Sequence, residues 1–144
     1  MATVFDVAKY FLDKLGPMST WKLQKLCYYA QAWTLAWDEK PLFQEDFQAW
    51  SNGPVCPELF QKHKGLFMIS SEELTDGDPG VFDQDQRDAL DVICNDYGDK
   101  DAYWLREQTH NEDPWRNARG KVPPGASSNT LITKEVMGEY YGSL

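Results

Sequence analysis

The sequence predicts a mainly α fold: one compact helical domain with a small two- or three-strand β element between the second and third helices. Three observations predict it. Apolar residues recur at three- and four-residue intervals through long stretches, the spacing of a helix with one buried face. Those stretches open on capping residues such as Thr3, Ser19 and Asp83 and close on Gly16-Pro17, Lys40-Pro41 and Gly98. One stretch, Leu42 to Val55, abandons helical spacing and ends in a Gly53-Pro54 turn. The length of 144 residues fits a single domain over positions 1–144.

The first helix runs from a Thr3 cap to Leu15, with Val4, Val7, Ala8, Phe11, Leu12 and Leu15 on one side. Asp6 completes a capping box with Thr3. The second starts at Ser19 or Thr20 and runs to about Trp37. Leu23, Leu26, Cys27, Ala30, Trp33 and Trp37 form its stripe, and Tyr28, Tyr29 and Leu35 add apolar surface elsewhere. A helix apolar on so many sides belongs at the centre. Leu42 to Val55 reads as a strand pair, closed by Leu66–Ile69. Pro57 suits the first position of a third helix that ends at Gly65. Ser70 to Asp83 is loop. Asp83 caps a helix to Tyr97, with Ala89, Leu90, Val92, Ile93 and Cys94 turned mostly inward. Asp99 caps the next, which carries Tyr103, Trp104 and Leu105. Asp113 is read as the cap of a short helix with Pro114 first and Trp115, Arg116 and Arg119 on it. After a loop from Lys121 to Thr130, a last helix covers Thr133 to Tyr141.

The net charge of −9 is unevenly placed. Ile69 to Asp101 holds eleven acids against two bases, Arg87 and Lys100, and the rest of the chain is neutral overall. Such a stretch repels a phosphate backbone, so direct nucleic-acid binding is not expected, whereas a basic protein partner is favoured. Three widely spaced cysteines, Cys27, Cys56 and Cys94, make neither a disulfide framework nor a zinc site. Free thiols fit a reducing, cytoplasmic setting. No apolar run approaches the roughly 18 residues of a membrane span.

Candidate chemistry is sparse. Asp76 and Asp78 invite a calcium-loop reading, but Val81 and Arg87 stand where the loop needs glycine and an acid. Phosphate loops and serine-nucleophile elbows are absent. Cys56, between Pro54 and Pro57, lacks a protease signature and reads as a small packed residue. His110 can close a helix corner through a backbone hydrogen bond, or stand exposed for recognition. Arg106, Arg116, Arg119 and Lys121 are the only local basic excess. Beside Trp115 they can form an anchor patch, or they can pair with the acidic segment. Trp50 is expected to pack the strand-to-helix corner against the second helix. No catalytic, metal or cofactor-binding residues are assigned.

The run Lys22-Leu23-Gln24-Lys25-Leu26-Cys27-Tyr28-Tyr29-Ala30-Gln31 resembles the signature helix of the Panacea domain family, the phage-associated GepA-like and SocA-like proteins. Cys27 stands where that family usually carries leucine, and Trp21 is bulkier than its pattern. Pro41-Leu42-Phe43, with Phe47, Ala49-Trp50, Gly53-Pro54-Val55 and Pro57-Glu58-Leu59, looks like its second signature. Thr109-His110, Asp113-Pro114-Trp115 and Ala118-Arg119 look like its third, and Ile132 to Tyr141 like its closing helix. The resemblance implies a mainly helical antitoxin that binds and neutralises a cognate protein toxin encoded by the adjacent gene. It implies no catalysis and no cofactor. Contact candidates for that partner are Trp50, Pro54, His110, Trp115, Arg116 and Arg119. The alternative is a prophage-encoded adaptor that delivers a partner to a protease or signalling complex; an enzyme is the third and least favoured reading.

Overall fold

A computed structural model describes residues 1–144 and shows seven helices, with the second at the centre as predicted. The first, α1 (Val4–Leu15), begins at the expected capping box: Thr3 Oγ1 accepts the Asp6 amide, and Asp6 Oδ2 accepts the Thr3 amide at 2.8 Å. The second Asp6 oxygen takes the Asp78 amide at 2.8 Å, which ties the acidic loop to α1.

Helix α2 (Thr20–Asp38) is wrapped on every side, and Leu23, Leu26, Cys27, Tyr28, Tyr29 and Ala32 are fully buried. Around it pack α1, α4 (Gln84–Tyr97), α5 (Ala102–His110) and α7 (Lys134–Gly142). Elsewhere α2 meets non-helical chain, whose backbone groups need partners once buried. Two glutamines, two turns apart, supply them. Gln31 Oε1 accepts the Leu42 amide at 2.7 Å, and Gln31 Nε2 donates to the Phe43 carbonyl at 2.7 Å. Gln24 Oε1 accepts the Cys56 amide at 2.8 Å, and Gln24 Nε2 donates to the Cys56 carbonyl at 3.2 Å. Losing either glutamine would strand a buried donor and acceptor, each costing about 1–3 kcal/mol.

Strands β2 (Phe47–Trp50) and β3 (Gly53–Val55) form the expected hairpin after β1 (Met18–Ser19), with Trp50 opposite Gly53. The third strand is not the one expected. β4 (Met68–Ile69) pairs with β1, while β2 takes its other neighbour from β5 (Leu131–Ile132). The cause is the route of the chain. Helix α3 (Pro57–His63) leads away from the hairpin, and the Ala49 amide donates to Thr130, which brings the late loop onto the free edge of β2.

Other boundaries differ by one or two residues. α3 stops at His63, where a turn with Gly65 at φ +88 takes over. Asp101, not Asp99, caps α5 by accepting the Trp104 amide, because residues 98–100 are used in the turn out of α4. Helix α6 (Asp113–Arg119) starts with Glu112 as its cap residue, one position earlier than Asp113. On α4, Leu90 and Ile93 are buried as expected; Val92 faces outward, and Ala89 and Cys94 are half-buried. No helix is long and apolar enough to cross a membrane.

Candidate functional site

The predicted contact residues converge on one corner, where the β2–β3 turn meets α5 and α6. His110 closes α5 and Trp115 opens α6, a spacing that folds their rings face to face with centroids 3.7 Å apart and 8° between planes. The Trp115 indole N–H donates to the Trp50 carbonyl at 2.8 Å, pinning α6 to the end of β2. The Arg119 guanidinium lies 5.4 Å from the Trp115 ring centroid and donates to the carbonyls of Ala49 (3.3 Å) and Pro123 (2.9 Å).

Each predicted residue therefore has a definite place. Pro54 is buried in β3 and Arg119 is buried under α6, so both hold the corner from within. Trp115 and Trp50 are half-buried, and Arg116 is exposed. The Trp50 ring packs edge-on against Phe60 of α3 at 5.0 Å, and Phe60 in turn lies 6.5 Å from Trp21. Through Phe60, Trp50 is linked to Trp21 of α2. The His110 ring is held by stacking; its Nε2 is buried with no hydrogen-bond partner, in place of the expected backbone bond. Burial, then the nearby Arg106 charge, lowers its pKa to about 4, so the imidazole is neutral at pH 7.

The basic excess does not pair with the acidic segment. Arg106 meets only its neighbour Glu107, at 3.4 Å, and Arg116 and Lys121 form no ion pair. The ion pairs made by acids of that segment are with Lys14, Lys62 and Lys100.

Two buried charges escaped the sequence reading. Lys25 on α2 is 1% exposed, its Nζ has no partner, and burial lowers its pKa to about 7. Its one compensation is the Trp21 ring, 5.2 Å away. The available signal was its position: Trp21 and Tyr29 lie four residues to either side on the same helix face. Glu112, buried behind α6, accepts from the hydroxyls of Tyr29 (2.7 Å) and Tyr141 (2.8 Å). Burial raises its pKa, against the pull of those bonds.

Cys56 is fully buried, and burial pushes its thiol up to about 12, so it carries no thiolate at neutral pH. No group of three or more His, Cys, Asp or Glu is placed to hold a metal ion.

A family model described as "Antitoxin SocA-like, Panacea domain" matches residues 23–116. That span runs from the first turn of α2 through the hairpin to the stacked corner. No curated protein and no solved structure matches the chain.

Proposed function

The chain belongs to the SocA-like antitoxin family with the Panacea domain, and from that membership we propose that it neutralises a cognate protein toxin by binding it directly. The observation that carries this reading is the extent of the match. It takes in α2, the hairpin, α3, α5 and the opening of α6, the elements that build the corner.

The corner has the chemistry of an interface anchor. Trp50, His110 and Trp115 supply ring area held in place by stacking and by the indole bond, so little side-chain freedom is lost on binding. Arg116 adds an exposed guanidinium that no carboxylate in the chain engages. Aromatic and arginine side chains of this kind carry most of the energy of protein interfaces. The acidic segment around α4 provides a second surface of opposite sign, which steers a basic partner. Neutralisation is by occlusion, without catalysis. The three unpaired thiols fit action in the cytoplasm.

Co-expression with the product of the adjacent gene tests this. Growth arrest by that product alone, relieved by this chain, is the expected result. A product that is harmless alone, or arrest that persists in the presence of this chain, rejects the proposal.

A further inference from the structure

Only three buried side-chain nitrogen or oxygen atoms lack a hydrogen-bond partner: Lys25 Nζ, Arg106 Nε and His110 Nε2. They are neighbours. Arg106 and His110 are four residues apart on α5 and share a face. Arg106 and Lys25 line one hollow of about 200 Å³, together with Trp21, Asn52 and Tyr103. Arg106 and His110 line a second, of about 360 Å³. The Gly53 turn closes over the Lys25 stem so tightly that a Cβ there would stand 2.5 Å from Lys25 Cε and 3.2 Å from both Lys25 Nζ and Thr109 Oγ1.

No carboxylate pairs with Lys25, and Arg106 has one such partner. Glu107 reaches only Arg106, from a half-exposed position. The buried carboxylate of Glu112 is taken by Tyr29, Tyr141 and Gln108. Arg119 is engaged with carbonyls. An unpaired buried cation costs several kcal/mol, and so does each orphaned donor at a smaller scale. Lys25 and Arg106 therefore bring two partnerless buried donors to one hollow, an arrangement that an anionic acceptor satisfies.

We propose that the Lys25–Arg106 corner binds an oxyanion, a carboxylate or a phosphate group, which enters the hollow beside Tyr103 and accepts hydrogen bonds from Lys25 and Arg106. Tyr103, 67% exposed, lines the hollow on its solvent side. His110 lines the neighbouring hollow, on the other side of Arg106, and is not needed to hold the anion. The proposal concerns the free chain and stands whether or not the antitoxin reading holds. The net charge of −9 disfavours non-specific anion binding, and the Lys25 and Arg106 variants separate this corner from the exposed bases.

The test is a titration of the purified chain with sodium phosphate and, separately, sodium acetate, at about pH 6.5 so that Lys25 is charged. Sodium chloride holds the ionic strength constant, and the amide resonances of Gly53 and Thr109 are followed. Saturable shifts at millimolar anion are expected, lost in Lys25→Met and Arg106→Gln and kept in Lys64→Gln, which alters an exposed lysine. Saturation by phosphate at about tenfold lower concentration than acetate identifies a phosphate site, and the reverse order a carboxylate site. No saturable shift with either anion overturns the proposal. So do shifts that persist in a folded Lys25→Met protein, whose fold is checked by the dispersion of its amide spectrum.

Discussion

Replacing Lys25 with methionine should stabilise this protein. Methionine keeps the length of the stem and removes a charge that has no partner. Lowering the amine from 10.5 to about 7 corresponds to at most about 5 kcal/mol of destabilisation at neutral pH, at about 1.4 kcal/mol per pH unit. Relaxation around Trp21 and Arg106 reduces this, so a gain of about 2–5 kcal/mol is expected near pH 7. The sign follows from proton counts. Between about pH 7 and 10.5 the unfolded chain holds a proton that the folded chain does not, so wild-type stability from this group rises with pH. The groups that face Lys25, namely Arg106, His63 and His110, are cationic or neutral in that window and add no opposing carboxylate. The advantage of Lys25→Met should therefore shrink by about 2–3 kcal/mol between pH 7 and pH 9. Urea denaturation of both proteins at the two pH values, in a phosphate-free buffer, measures it. A methionine variant less stable than wild type at pH 7, or an advantage equal at both pH values, would refute the reasoning.

Other outcomes follow from single contacts. Glu112→Gln keeps an acceptor for the Tyr29 and Tyr141 hydroxyls and should change stability by less than about 1 kcal/mol, whereas Glu112→Leu orphans both and should cost about 2–5 kcal/mol in the same urea assay. Gly53 sits at φ +118 against Lys25, so Gly53→Val should cost about 2–4 kcal/mol. Cys56→Ala removes one buried sulfur and should cost about 1 kcal/mol; thermal melts in the opposite order would contradict the account of that corner. Arg116→Ala should leave the melting temperature unchanged and weaken toxin binding about tenfold or more, and unchanged affinity in a pull-down titration would remove Arg116 from the interface.

The helices were legible because each announces itself locally. Thr3 with Asp6, and Asp83 with Gln86, satisfy their own first turns, and those starts stand as read. Partners of two-residue strands are another matter. Met68–Ile69 has too few backbone bonds to choose a neighbour by itself, and the direction of α3 chose Met18–Ser19. The corner was half legible. Aromatic and arginine spacing pointed to Trp50, His110 and Trp115, yet Pro54 and Arg119 lie inside it. A proline and an arginine read alike at a surface and beneath one. Lys25 and Glu112 were hidden for the same reason: their burial is decided by Gly53, Tyr29 and Tyr141, which arrive from distant parts of the chain.

The central claim is direct binding, and calorimetric titration of the purified chain with the purified product of the adjacent gene tests it most directly. A saturable complex of fixed stoichiometry, with a dissociation constant at or below about 1 µM, is the result expected of an antitoxin that acts by occlusion. Relief of toxicity in cells without any complex between the purified proteins would contradict it.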